Sequence, residues 1–512
     1  MSIIKKMTDE YEDYLHDESR TGGGHADSIS FPKSEEEVIA VMKECATSGT
    51  EVTVQGGRTG LTAAAVPCGG HLMNLSRMNN IGEISQTREK DEANGKAEPE
   101  FSIKTQPGVL LEELTKHLQT EKPGWFFAPD PTETTADTGG IIACNASGAR
   151  TFRYGTVRDH VSAIRAVLAD GEVLAMRRGE NFAEGRTLEL TSESGRHYCV
   201  KLPRYKMPDV TKNTSGYFVK DDMDAIDLFI GSNGTLGIVT EAELELTKKP
   251  KFDCGLMFFF SSEEKAIDFT AALRDSDIKP ASIEYFDEGS LGILEERRKT
   301  DPDYSYIKEV PEGMRAAIFS ELHENSEDGL YDKLEQASEM AEGCGGDADD
   351  IWVADTPGAM KNMIDFRHAV PSSVNALIDE RKKEHPAIAK LGTDMSVPGS
   401  RLKDVFKMYR TGLAEQGFES ATWGHIGNGH VHVNILPRDE EEFAREHELQ
   451  AEWAREIVEM GGAVSAEHGV GKNKAFMLKI MYGEDGIEQM RQLKKTLDPL
   501  QLLCPGNLFD KE

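Results

Sequence analysis

Residues 423–436 read Trp-Gly-His-Ile-Gly-Asn-Gly-His-Val-His-Val-Asn-Ile-Leu, and further along the chain comes Ser465-Ala-Glu-His-Gly-Val-Gly471. Val431, Val433 and Ile435 alternate with His430, His432 and Asn434, so an extended strand aims the latter three at one face. Imidazole and carboxylate are the ligands a divalent cation such as zinc takes, with a position left open for substrate in catalytic sites. Histidines in a strand serve equally well as part-buried hydrogen-bonding groups, and residue type alone does not choose between the two.

A second kind of chemistry is written in glycine. Three separated loops carry it: Gly56-Gly57-Arg58-Thr59-Gly60; the run from Pro129 to Gly148 around Gly139-Gly140; and Phe229-Ile-Gly-Ser-Asn-Gly-Thr-Leu-Gly-Ile-Val-Thr240. Backbone amides freed of side chains can point at phosphate oxygens, and glycine permits the φ values and close approach this needs. The first loop taken singly is equally a tight turn. It lacks GxGxxG and no helix opens directly after it, so a nicotinamide-binding Rossmann unit is not supported. The P-loop pattern GxxxxGK[ST] is also missing there, which removes the nucleotide triphosphatase reading.

These loops need scaffolding. Ser34-Glu-Glu-Glu-Val-Ile-Ala-Val-Met predicts a helix with Ser34 as N-cap and Glu37 completing a capping box. Glu51-Val-Thr-Val predicts a short strand running into the first glycine loop. Residues 110–118 form an amphipathic helix pattern, and 163–174 a hairpin turning at Asp170-Gly171. The polar stretches 87–100 and 177–225 predict an exposed hairpin or disordered tip and loops reaching into the site, respectively. Ile238–Leu246 alternates as a strand. After Lys248-Lys-Pro the texture changes to strands such as 255–260 and charged helices such as 328–342 and 439–460, an α+β pattern. A helix near 486–497 precedes a Pro/Gly-rich tail.

Bulk composition limits the partners. Lys plus Arg is 58 and Asp plus Glu is 90, a formal charge of −32 over 512 residues. That balance argues against a nucleic-acid backbone as partner and disfavours simple electrostatic docking on anionic lipid. The N-terminus is charged, without a secretory or transit pattern, and no apolar run is long enough to span a membrane. Seven scattered cysteines lack any CxxC pair, as expected of reduced thiols in a cytoplasmic protein with no cysteine-ligated iron–sulfur cluster of its own.

Taken in order, the three loops, Arg153-Tyr-Gly-Thr-Val-Arg-Asp159, Lys212-Asn-Thr-Ser-Gly-Tyr217 and Pro505-Gly-Asn-Leu-Phe509 resemble the vanillyl-alcohol oxidase/p-cresol methylhydroxylase flavoproteins. Within them the chain is similar to the branch holding D-lactate dehydrogenase, the flavin subunit of glycolate oxidase and D-2-hydroxyglutarate dehydrogenase. The resemblance implies an α+β chain: a two-subdomain FAD-binding domain over 27–249 after an extension at 1–26, and an α+β cap or substrate domain over 250–460. A small helical C-terminal segment, 461–512, would complete the active site. It implies that Gly56, Gly57, Arg58, Thr59, Gly60 and Leu61 hold the pyrophosphate. Pro129, Asp130, Thr138, Gly139, Gly140, Asn145, Ser147 and Gly148 would line the flavin and ribitol, with Tyr154 and Gly155 following. Gly234, Gly237 and Ile238 would lie on the adenine side, with Asn507 closing the site. Arg58 stands where covalent relatives carry a flavin-linking histidine, so the FAD is expected to be non-covalent.

The same resemblance places His425, His432 and Glu467 on a divalent metal (Zn, Mn or Fe), with His468 beside them as catalytic base and Arg367 as clamp for a substrate carboxylate. A histidine suits the hydroxyl proton that must leave while the α-hydrogen departs as hydride to flavin, and arginine matches a carboxylate bidentately. His430 replaces the usual small residue or asparagine, which leaves open an extra ligand or a mere neighbour. Ala64-Ala65, Asn233 and Cys504 also depart from the family pattern. Gly392 replaces a lysine that some 2-hydroxyglutarate enzymes use for a second carboxylate, favouring a monocarboxylate such as D-lactate or glycolate, although Lys390 could compensate. Oxidase chemistry with O₂ and a non-catalytic electron-relay subunit are the rival readings. The electron acceptor would be external: a quinone, an electron-transfer flavoprotein, a cytochrome or an iron–sulfur subunit. Peripheral association with the inner membrane face and a homodimer stay open.

Overall fold

A computed structural model describes residues 3–90 and 98–510. The first half carries two sheets. In one, Ser28–Ser30, His71–Asn74 and Val52–Gln55 pair in parallel, with Lys5–Lys6 added antiparallel at the edge. The other is antiparallel, in the order Ile81–Lys90, Glu98–Thr105, Ile238–Lys248, Val161–Val167, Val173–Arg177, with Trp125–Phe126 on the end of Ile238–Lys248. This is the expected two-subdomain arrangement. The helix Glu35–Ser48 starts as its sequence predicts, with Ser34 Oγ accepting from the Glu37 N–H at 3.4 Å. The Glu37 carboxylate, however, accepts from the N–H of Lys33 rather than of Ser34, so the capping box closes one residue early.

The hairpin at Asp170-Gly171 is present, with Gly171 at φ +80°. The polar stretch 177–225 is more ordered than expected: Thr187–Thr191 and His197–Lys201 form a separate two-stranded ladder. Their alternation of buried Leu188, Leu190, Tyr198 and Val200 with exposed neighbours is a period-2 signal obscured by the surrounding charge. For the polar insert at 87–100, the flanking strands pair as far as Lys90 opposite Glu98, and 91–97 lie outside the described residues.

The second half is an antiparallel sheet of eight strands, in which Phe252–Phe260, Ala316–Glu324, Ser282–Asp287, Ser420–Gly424 and His430–Ile435 are consecutive neighbours. Strand alternation divides its residues. Leu256, Phe258, Phe260, Tyr285 and Ile318 join the main core with the helix Glu263–Arg274. Met257, Phe259, Phe286 and Phe319 form a second cluster with Met363, Phe366 and Val370 of the long helix Pro357–Arg381. Glu284 shares the parity of Phe286, and His432 lies opposite Trp423, itself opposite Phe286. The polar residues of interest therefore share the face that the helix carrying Arg367 covers.

The C-terminal segment ties the halves together, its Ala463 exchanging backbone bonds with Ser396 of the second half at 2.9 and 3.0 Å. Val52 N–H donates to Leu502 O and Cys504 N–H to Val52 O, both at 2.8 Å. Lys494 is buried, its ammonium donating to Thr235 O, Leu503 O and Asp498 Oδ2 at 2.8–2.9 Å. A buried charge satisfied at every donor fixes chain position tightly.

Candidate active site

The first glycine loop leaves the strand Val52–Gln55. The Asp137 carboxylate caps the helix Thr138–Cys144, accepting from Gly140 N–H at 2.6 Å, and also accepts from Gly57 N–H. A Cβ on Gly56 would overlap that carboxylate, and one on Gly148 would overlap the carbonyl oxygen of Asp130. Close approach of backbone, not flexibility, is why glycine is needed at both. Gly139 packs in the same way on Pro107. Among the described residues, the N–H groups of Thr59, Gly60 and Leu61 have no acceptor, and Leu61 is 49% exposed, so this loop fits a phosphate group that it would have to bind through backbone. Arg58, at φ +63°, turns its guanidinium onto the Tyr14 ring and the Asp13 carbonyl.

The other loop residues have diverse settings. Thr138 Oγ1 donates to Gln106 O (2.7 Å) and Asn145 Oδ1 accepts from Arg158 N–H (2.9 Å). Pro129 is buried, and burial pushes the Asp130 carboxyl up to about 6 despite nearby Arg150. Gly155 adopts φ +85°, and Tyr154 Oη lies 2.8 Å from His323 Nδ1 of the second half. Gly237 packs against the Phe229 ring, and Ile238 is buried in the apolar cluster beneath the parallel sheet. The departures from the family pattern knit the site: Asn233 Oδ1 accepts from Gly471 N–H (3.0 Å). Asn507 Nδ2 donates to Ala64 O and Asn233 O, while its Oδ1 accepts from Lys472. Cys504 Sγ lies where a Cβ on Gly234 would be 3.1 Å away.

Those bonds deliver Glu467 and His468 to the end of the helix Thr138–Cys144, where Cys144 Sγ donates to Glu467 O. Glu467 is the hub. Its Oε1 lies 3.2 Å from His432 Nε2 and 3.7 Å from His468 Nε2; its Oε2 lies 3.3 Å from His425 Nε2 and accepts from Lys212 (2.8 Å) and Ser147 (3.3 Å). Ser147, placed by sequence among the flavin contacts, thus sits on the carboxylate cluster. Burial alone would raise the Glu467 carboxyl, but Lys212 and His425 hold it well below the ordinary range. His425, His430, His432 and Glu467 each bring one donor atom within 4.8 Å of the others, as do Asp394, His432, Glu467 and His468.

Outer partners orient the imidazoles. His425 Nδ1 is 2.6 Å from Glu284 Oε1, and His432 Nδ1 is 3.0 Å from Thr393 O. Asp394 accepts from the Glu467 and His468 backbone N–H groups and from Lys474, and its Oδ2 is 3.7 Å from His468 Nδ1. His468 stacks parallel on His432 at 5.3 Å and, with its side chain 26% exposed, is the most open member of the cluster. Burial pushes its imidazole down to about 4. Arg367 Nε donates to Glu284 Oε2 at 2.9 Å, so one carboxylate bridges the arginine and His425. Burial would raise Glu284, but His425 and Arg367 bring it down to about 2.

Sequence reasoning does not pick out Glu284, Lys212, Asp394 or Lys474 as site residues. Glu284 and Asp394 do carry a usable signal, a carboxylate inside an otherwise apolar or small-residue stretch, which is rarely buried without a partner. Lys390 lies 5.5 Å from the Trp423 ring centroid, and Gly392 pairs with Asn434 on the His432 face.

Residues 26–177 match the FAD binding domain and 249–508 the C-terminal domain of FAD linked oxidases. The chain is 30% identical to a D-lactate dehydrogenase of Anaerostipes hadrus, covering 98% of this chain and 93% of that protein. It is 27% identical to a glycolate oxidase subunit of Bacillus subtilis, over 98% and 92%. Its fold matches 4-ethylphenol oxidase from Gulosibacter chungangensis with a TM-score of 0.66 at 15% identity, over 98% and 93% of the two chains. Among the described residues no helix is long and apolar enough to cross a membrane. The glycine loops, the joining C-terminal segment and these matches together place the chain in the FAD-linked oxidase family, as a flavin-dependent oxidoreductase.

Proposed function

We propose that the protein oxidises a small 2-hydroxy monocarboxylic acid, D-lactate or glycolate, to the 2-oxo acid and passes the electrons to an external acceptor. The observation that carries this is the pairing of His468, open and uncharged, with an orienting carboxylate on one side and the Glu467 cluster on the other. Bound FAD supplies the hydride acceptor. His468 Nε2 takes the hydroxyl proton, and Asp394 beside Nδ1 stabilises the imidazolium that results. Among the described residues only the Nε–H of Arg367 is engaged, leaving its terminal N–H groups for the substrate carboxylate. Arg58 offers no imidazole to the flavin, which supports non-covalent binding. The division into 27–249, 250–460 and 461–512 belongs to the same reading, the last segment delivering the base.

A divalent cation fits His425, His432 and Glu467, whose facing donors converge while their outer atoms are tied down; when bound it would acidify and orient the substrate hydroxyl. A dicarboxylate is the second reading, favoured by Lys390 on the Trp423 face; Gly392 beside Asn434 speaks for the monocarboxylate.

An anaerobic screen of flavin bleaching with D-lactate, L-lactate, glycolate and 2-hydroxyglutarate, with metal analysis of the same sample, tests the proposal. Bleaching by D-lactate or glycolate is expected. No bleaching by any 2-hydroxy acid would leave an electron-relay subunit, and rapid reoxidation by O₂ with peroxide release would make it an oxidase.

A further inference from the structure

His430 is fully buried, at 0% exposure. Neither of its ring nitrogens makes a hydrogen bond among the described residues. Its nearest charged atoms are Asp394 Oδ1, 3.3 Å from Nε2, and Glu467 Oε2, 4.0 Å from Nδ1. A buried imidazole left without partners is destabilising, so its place in the enclosed part of the site requires a reason. The obvious neutral partner is already engaged: Ser396, opposite His430 across the strands, donates its hydroxyl to Lys212 O at 2.7 Å.

The three histidines share one plan. His425 has Nδ1 on Glu284 and Nε2 toward Glu467; His432 has Nδ1 on Thr393 O and Nε2 toward Glu467. His430 repeats it with its nitrogens exchanged, Nε2 toward Asp394 and Nδ1 toward Glu467. A carboxylate or carbonyl beside the outer nitrogen and an inner nitrogen aimed at a common point is how metal-bound imidazoles are held. Residues two apart on a strand face the same side, so His430 and His432 reach that point together, their ring centroids 4.5 Å apart.

We propose that His430 is a third imidazole ligand, making the centre a three-histidine, one-carboxylate site. This rests on the metal reading above and deepens it. A further neutral nitrogen donor adds no charge but shifts preference toward nitrogen-seeking cations such as zinc and cobalt, and away from magnesium and manganese.

The test is zinc binding by flavin-loaded wild type and His430→Asn after chelation and reloading. X-ray absorption at the zinc edge counts imidazoles, and competitive titration measures affinity. Three imidazoles in the wild type, two in the variant, and a loss of zinc affinity of roughly 10-fold or more are expected, with manganese affinity changed less. Two imidazoles in both, at equal affinity, overturn the assignment and leave the metal reading standing. Failure of the wild type to take up zinc stoichiometrically overturns both. If His430→Asn loses its flavin, His430→Gln replaces it, and the wild-type imidazole count decides by itself.

Discussion

On the proposed reading Gly56, Gly139 and Gly148 serve the flavin end of the molecule by what they lack, whereas His425, His432, Glu467 and Asp394 serve the other end by what they carry. At the glycine end the backbone itself approaches its neighbours too closely for any Cβ. Arg58, Asn145, Asn233 and Cys504 hold left-handed φ values in the same loops and their C-terminal partners. At the histidine end only His432 of these four lies in a strand, and position is set by one side chain bonding another from a distant element. A site made from backbone fails when volume is added; a site made from side chains fails when a functional group is removed.

The largest effect should follow from breaking the first rule. Gly148→Val sets a branched side chain against the Asp130 carbonyl, and Gly56→Val against the Asp137 carboxylate, neither of which can move without opening the loop. Both variants are expected to purify without visible flavin absorbance or to fail to accumulate. A folded, yellow Gly148→Val protein would show that the loop is a turn and not a cofactor cradle.

Breaking the second rule should leave the flavin in place. His468→Ala is expected to slow anaerobic bleaching by about 10²–10⁴-fold, the range general-base catalysis supplies, with flavin content unchanged. Stopped-flow bleaching at saturating substrate measures it. A rate within about twofold of wild type removes His468 from proton transfer.

Between these lies Glu284, whose single carboxylate serves both Arg367 and His425. Glu284→Gln leaves a buried guanidinium and imidazole without their counter-charge, so stability should fall by about 3–5 kcal/mol. KM for the hydroxy acid should rise more than kcat falls, because the carboxylate clamp is what loosens. Denaturant titration and steady-state kinetics read the two effects separately. An unchanged KM would place Arg367 outside substrate binding.

The same contrast explains which parts of the site are legible in the sequence. Loops built from glycine advertise themselves in composition, because backbone approach permits no other residue. The His430/His432/Asn434 face is legible because strand parity is fixed at two. The partners of the cluster are not, since Glu284, Asp394 and Lys212 arrive from 141, 36 and 255 residues before His425, His430 and Glu467 respectively, and nothing local marks them as neighbours. The ladder at Thr187–Lys201 is hidden for another reason: charged residues on its exposed side mask an alternation that only burial reveals. The capping box is misplaced by a single residue because the Glu37 side chain reaches back to the N–H of Lys33.

The effect that is smallest at any one pH step separates functional from merely buried charge. Glu446 is a fully buried glutamate where Glu467 is only partly so, and both its carboxylate oxygens lack hydrogen-bond partners among the described residues; burial, with Glu442 nearby, pushes it up to about 9. Its acid form is thus favoured in the folded chain, while the unfolded chain ionises near the ordinary glutamate value. The stability it contributes is full below that value and is lost as pH rises toward 9. Glu446→Gln, permanently uncharged, should therefore gain on the wild type by on the order of 1 kcal/mol per pH unit between about pH 5 and 9. Urea unfolding at several pH values in that window measures the difference. Parallel pH profiles for the two proteins would mean that Glu446 stays ionised in the fold through contact with water or a cation. It would then no longer stand as the unpartnered counterpart to Glu467, whose own carboxylate is held ionised by Lys212 and His425.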